Sequence, residues 1–211
     1  MKESNFNRIA WCYDGLTKII FGKSIRKSQT EFLVYCKPED KVLIVGGGTG
    51  WILEDLASMD MNIYITYIEK SSKMIEKAKG IALRCKGLTI DFIIGTEMDI
   101  PVNTKFDLVL ANYFFDLFTP AKQKFISNLF YQALNRNGLL LTADFYIDKK
   151  SPIWQKIVVR IMYLFFKLST GIETMKLSNY RKYIEQLPFT CIHHRVFYAQ
   201  FIHSNVYQKI R

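Results

Sequence analysis

From position 41 the chain alternates short apolar runs with segments whose apolar residues recur at helical spacing. The run VLIV at 42–45 is continuously apolar and ends in glycines, which predicts a strand covered on both faces. Residues 51–58 carry Trp51, Ile52, Leu53, Leu56 and Ala57 on one helical face. Residues 63–68, β-branched and aromatic, predict a second strand. Residues 71–79 predict a helix capped by Ser71, with Met74, Ile75 and Ala78 facing inward. Further strands are predicted at 88–94, 106–111 and 139–143. A helix is predicted at 120–134, with Pro120 in its first turn and Asn137-Gly138 past its end. Such alternation implies an α/β fold, a doubly wound and mostly parallel sheet with helices on both faces. Ligands of such sheets bind outside the carboxyl ends of the strands, near the reversal in strand order.

The flanks read differently. Residues 5–34 are helical in pattern. Ser151-Pro152 marks a break, and 153–168 form a strongly apolar helix with Lys156, Arg160 and Lys167 on one side. After Pro188, residues 189–197 and 201–210 predict an antiparallel hairpin that closes a seven-stranded sheet. The expected organisation is a single domain over 1–211. It comprises N-terminal helices (1–36), a ligand-binding core (37–150), a helical lid (151–188) and the hairpin (189–211).

Composition adds two points. The aromatic share, 15%, is high and suits a site for a flat or greasy ligand, although any single ring is more often core packing. The formal charge of +10 is unevenly spread. Residues 37–150 hold fourteen Lys/Arg against fourteen Asp/Glu, while 1–36 hold six against three and 151–211 nine against two. A positive mouth around a neutral core attracts an acidic small molecule, an anionic membrane surface or nucleic acid. Cys12, Cys36, Cys85 and Cys191 are scattered, with no C-x-x-C and no apolar leader before them. Free thiols in the cytoplasm and no bound metal are the expectation.

The chemistry concentrates at VLIVGGGTG, residues 42–50. A strand ending in G-x-G-x-G lets the backbone approach a ligand and turns helix N-terminal amides toward it. Glu69 follows the second strand, 21 residues after Gly48, where a carboxylate accepts hydrogen bonds from ribose hydroxyls.

With Gly46–Gly50, Glu69, the loop from Gly95 to Pro101 and Asn137-Gly138, the chain resembles the class I S-adenosylmethionine (SAM)-dependent methyltransferases, with their Rossmann-like fold. The run F-x-x-x-A-x-x-Y-D at 6–14 is similar to that of the ubiquinone and menaquinone biosynthesis methyltransferases. The resemblance implies SAM as cofactor, lined by Tyr13, Gly46, Gly47, Gly48 and Gly50. Glu69 would hold the ribose, with Lys70, Met74, Glu97 and Met98 around the adenine, the adenine amino group met by Glu97 or Asp99 or by backbone alone, and the Asn112 carbonyl on the methionine amine. Two positions depart from the family pattern. Ile44 stands where an acid is common in the first strand, and Thr96 stands where an Asp is common after the third.

Methyl transfer from a sulfonium is an in-line displacement that depends mainly on positioning, and needs a base only if the acceptor must lose a proton. Tyr13, Tyr113, Asp144 and Tyr146 are the expected acceptor-side residues. Tyr13, Asp144, Tyr146, His193, His194 and His203 are the available bases, with none singled out as catalytic. The expected acceptor is small, aromatic or lipid-like, and acidic. Helix 153–168 reads as a lid over it, with peripheral contact to a membrane as the other role its pattern fits. A nucleic-acid substrate is disfavoured because Ala111-Asn112-Tyr113-Phe114 lacks the N/D-P-P-Y/F pattern of base-amino methyltransferases. A SAM-binding protein without catalysis is the remaining alternative.

Overall fold

The computed structural model describes residues 21–170 and 177–210, with backbone only over 164–170. Its helices are α1 (Ser24–Thr30), α2 (Ile52–Ala57), α3 (Ser72–Ala82), α4 (Pro120–Ala133), α5 (Ile153–Thr170) and α6 (Arg181–Ile184). Its strands are β1 (Lys41–Val45), β2 (Ile63–Glu69), β3 (Leu88–Ile94), β4 (Phe106–Asn112), β5 (Leu134–Phe145), β6 (Phe189–Phe197) and β7 (Ile202–Lys209). They form one sheet in the order β3-β2-β1-β4-β5-β7-β6. The first five are parallel, and the closing hairpin is antiparallel. The expected fold class is therefore the observed one.

Period-two alternation along β1 feeds two cores. Val42 and Ile44 join Leu53, Leu56, Tyr67 and Ala78 on one face of the sheet. Leu43 and Val45 join Ile126, Phe130 and Phe115 on the other. Each fully buried side chain of this size stabilises the fold by roughly 1.5–3 kcal/mol. Strand order reverses between β1 and β4, so the ends of these strands, at Val45 and Asn112, flank the crevice where such sheets bind ligands.

The fifth strand departs from the sequence expectation. It starts at Leu134, directly after α4, rather than at 139, and absorbs Asn137-Gly138 as an irregularity. Asn137 is left-handed at φ 62°, and Asn135 Nδ2 donates to Asp107 Oδ1 at 2.7 Å. The turn residues thus bend a strand instead of ending a helix.

The closing hairpin is tied to α5. Its turn holds three successive left-handed residues without glycine, Tyr198, Ala199 and Gln200. Each costs about 1–2 kcal/mol of backbone strain. Packing fixes them: Tyr198 meets Phe21 and Trp154 edge-on, and buried Gln155 donates through Nε2 to the Ala199 carbonyl at 2.9 Å.

The glycine loop fits tightly against α3. Gly50 lies at φ +86°, and a Cβ there would come within 2.6 Å of Ala78 Cβ and 2.7 Å of its Cα. Gly50→Ala should therefore lower stability by about 2–4 kcal/mol, from left-handed strain plus overpacking, as a fall in denaturation midpoint will show.

Candidate functional site

The loop after β1 is held from below by β2. Tyr67 and Glu69, two apart on one strand, share a face. Tyr67 Oη donates to the Gly48 carbonyl at 3.1 Å, and Glu69 Oε2 accepts from the Gly48 amide at 3.1 Å. Both backbone groups of Gly48 are thereby fixed. The middle glycine of the triplet, Gly47, is needed because a Cβ there would sit 2.2 Å from Tyr67 Cζ. Ile44, at the position where an acid is common, pairs in register with Tyr67 and is buried with it. The tyrosine, unforeseen from the sequence, ties down the loop from below. Its signal was legible: position 67 is two residues before Glu69.

Glu69 has a second task. Its Oε1 accepts from the Ser71 amide at 2.8 Å, and Ser71 Oγ accepts from Met74 N to cap α3. Burial pushes the Glu69 carboxyl up from its ordinary range, opposed by the amides of Ser71, Gly48 and Lys70. An ionised carboxylate has about four acceptor sites, so capacity remains on both oxygens for two hydroxyl donors.

The loop after β3 joins at the Gly95 amide, which donates to the Glu69 carbonyl at 3.1 Å. Thr96 and Asp99 form a reciprocal cap. Met98 N donates to Thr96 Oγ1, and Thr96 N donates to Asp99 Oδ2 at 2.8 Å. Asp99 is therefore committed to its own turn. Glu97 is buried and ion-paired with Lys122 of α4. Met98 is 60% exposed, Lys70 is exposed, and Met74 is buried against the sheet. Of these residues Met98 and Lys70 are exposed, while Met74 and Glu97 are buried.

The expected acceptor-side residues Tyr113, Asp144 and Tyr146 lie at the ends of β4 and β5. Asn112 ends β4 half-buried. Tyr113 is left-handed at φ 51°; its hydroxyl shares a 2.8 Å hydrogen bond with Ser28 of α1, and its ring lies 5.0 Å from Phe145. Asp144 does not face an open edge. It is 1% exposed and accepts from the amides of Phe145 at 2.9 Å and Asp116 at 3.3 Å. It thereby ties the end of β5 to the turn after β4. Tyr146 stacks on His203 at 4.3 Å.

Asp144 has a buried companion, Asp116, 28 positions away and outside any local pattern that would pair them. Burial raises both carboxyls, and the charge of Asp116 raises Asp144 further. Tyr163 of α5 donates to the Asp116 carbonyl at 2.9 Å. The histidines serve the hairpin. His194 Nε2 and His203 Nδ1 are 3.2 Å apart, and His203 Nε2 lies 3.1 Å from the Gln200 carbonyl. Burial and the neighbouring His194 push His203 down to about 4. His193 packs on Tyr35 and Phe32. Tyr13 and the motif at 6–14 lie outside the described residues.

Helix α1 completes the rim. Arg26 forms a bidentate pair with Asp55 of α2 and covers the Trp51 ring, while the Ser28 carbonyl accepts from Ser204 of β7 at 2.7 Å.

A glycine loop and a buried acid that accepts from its backbone, on adjacent strands at the switch point, with this strand order, fit the class I SAM-dependent methyltransferase arrangement. Residues 37–207 match the family model for the methyltransferase domain, and the chain belongs to that family. Carboxy-S-adenosyl-L-methionine synthases are among its relatives. That of Nautilia profundicola is 25% identical over 158 residues, 74% of this chain and 66% of that protein. That of Campylobacter concisus is 26% identical over 154 residues, 71% and 63%. The chain thus spans just under two thirds of the length of these relatives. Among solved structures, the N-methyltransferase NodS of Bradyrhizobium japonicum, in complex with S-adenosyl-L-homocysteine, superposes at TM-score 0.68 with 12% identity, covering 98% of this chain and 97% of that one. A complex of the Haloferax volcanii Trm112 methyltransferase activator and a methyltransferase superposes at TM-score 0.72 with 13% identity, covering 100% of each chain. These distant superpositions establish the fold.

The Asp116–Asp144 pair predicts a pH effect. A raised carboxyl binds protons more tightly in the folded state, so its stabilisation is full below the ordinary carboxylate range and declines as pH rises through the folded value. Burial raises the Asp116 carboxyl from 3.8 to about 7, so Asp116→Asn should gain stability over wild type as pH rises from about 4 to about 7, by up to about 1.4 kcal/mol per pH unit within that window. Chemical denaturation across the series will check it; a constant difference would mean the pair does not hold a proton.

Proposed function

We propose that the chain transfers a methyl group from SAM to a small aromatic or lipid-like acceptor that carries a negative group. The observation that carries this reading is the Gly48 backbone fixed by Tyr67 and Glu69, with acceptor capacity left on Glu69. When bound, the cofactor supplies an electrophilic methyl on a sulfonium. The residues do the rest. The Gly46–Gly50 amides and Glu69 orient the nucleoside, the Asn112 carbonyl takes the amine, and Phe114, packed against Gly46, helps exclude water. The charge surplus of the flanks, nine Lys/Arg against two Asp/Glu over 151–211, draws in the acidic acceptor.

A second reading follows from the relatives named carboxy-S-adenosyl-L-methionine synthases, in which SAM would itself be carboxylated rather than give up its methyl. Mass spectrometry of the nucleoside product separates the two: S-adenosylhomocysteine for methyl transfer, a carboxylated SAM for the alternative.

Both readings require the nucleoside site. SAM at ~100 times its dissociation constant should raise stability by about 2.7 kcal/mol, seen as a melting shift. Glu69→Ala should weaken SAM binding by about 10- to 100-fold, the loss of one charge-assisted hydrogen bond. It should also lower the melting temperature of the free protein, because the Gly48 and Ser71 amides lose their acceptor. Titration calorimetry on the variant checks the first effect, and unchanged affinity would place the ribose elsewhere.

A further inference from the structure

Helix α5 has two apolar faces with different fates. One is fastened to the body of the protein. Gln155, Met162 and Tyr163 are buried there, with Gln155 donating to the Ala199 carbonyl and Tyr163 to that of Asp116, each at 2.9 Å. Met162 joins Phe21, Phe145, Phe201 and Ile202 in a cluster at the ends of β5 and β7. The helix is thus already seated, and its outer side needs no part of this chain to hold it in place.

That outer side is nevertheless apolar. Ile153, Ile157 and Ile161 recur every four residues and form one row, 75%, 53% and 56% exposed. Trp154 stands at its edge, 40% exposed, with its ring against Tyr198 and Phe201. Isolated exposed isoleucines are ordinary; three in a row beside a tryptophan on one helix make a contiguous patch, which marks an interaction surface.

The charges beside the row identify the partner. Lys156 and Arg160, also four apart, form a parallel exposed row, and exposed Lys149 and Lys150 precede the helix. Between positions 149 and 172 the sequence holds five Lys/Arg and no Asp/Glu. Asp148, just before, is turned back on the Lys150 amide and the Ser151 hydroxyl. A one-signed cationic rim on an apolar stripe, with an amphipathic indole at the boundary, complements an anionic lipid surface. No helix among the described residues is long and apolar enough to cross a bilayer, so α5 would lie in the surface plane.

We propose that the outer face of α5 docks the protein on an anionic lipid surface. The Ile153-Ile157-Ile161 row enters the boundary between headgroups and acyl chains, and Lys149, Lys150, Lys156 and Arg160 meet the phosphates. The proposal rests on this face alone and is independent of the transfer reaction. The opposite face of α5 closes over the ends of β5 and β7, so docking would bring the carboxyl edge of the sheet close to the membrane.

The test is sedimentation of the full chain with vesicles of phosphatidylcholine alone or mixed with phosphatidylglycerol, at low and high salt. Binding to the mixed vesicles should be stronger by about tenfold or more, and should weaken with salt. Ile157→Glu, and separately the double variant Lys149→Glu and Lys150→Glu, should each lose about tenfold or more of that binding. Neither should lower the melting temperature appreciably, because these side chains are exposed. Three results would overturn the proposal. They are equal binding to both vesicle types or no binding to the mixed ones, wild-type binding by folded Ile157→Glu, and a dimer in light scattering that Ile157→Glu dissociates.

Discussion

The two hydrogen bonds on Gly48 constrain everything around the site. A glycine-rich loop left to itself has more conformational freedom to lose than any other segment of similar length. Here Tyr67 and Glu69 remove that freedom before any ligand arrives, one by donating to the Gly48 carbonyl and the other by accepting from its amide. Because the same carboxylate accepts from Ser71, which caps α3, the loop and the helix behind it share one anchor. The absence of side chains at Gly47 and Gly50 then follows from close approach to Tyr67 and Ala78. A site fixed in this way presents its amides without the entropy cost of ordering them on binding.

Buried polarity has a comparable role at the other end of the sheet. Asp144 and Asp116 lie where β4 and β5 finish, sealed by α5 through Tyr163. Burial and a second carboxyl nearby disfavour ionisation of both, and the Asp144 carboxylate accepts from the Asp116 amide in the turn that carries Phe115. Phe115 stacks on Tyr180 at 4.6 Å, and Tyr180 bonds Thr142 of β5, which connects the turn to the α6 side of the sheet. The carboxyl edge is thereby rigid on both sides of the switch point.

Legibility in the sequence varied by element for a physical reason. The alternation of strands and helices from β1 to α4, the hairpin and the long apolar α5 were all visible as period two or period 3.6, because burial imposes those periods on neighbouring residues. The start of β5 was misjudged because Asn137-Gly138 carries the same turn signal whether it ends a helix or bends a strand. Glu69 was legible as an acid at the end of β2, and the structure sets it against the glycine loop. Asp144 was legible only as an acid near the edge, and its direction, inward onto Asp116, was not.

The chain by itself determined the order and type of its elements, the glycine loop after β1 and the acid after β2. Each of these is a pattern among residues close in sequence. Only the tertiary structure decided which polar groups meet: Asp144 with the Asp116 amide, 28 positions apart, and Tyr113 with Ser28, 85 positions apart. It also decided that α5 buries one apolar face and exposes the other. Local periodicity records how much of a face is apolar, but what covers that face depends on strands brought together from distant parts of the chain.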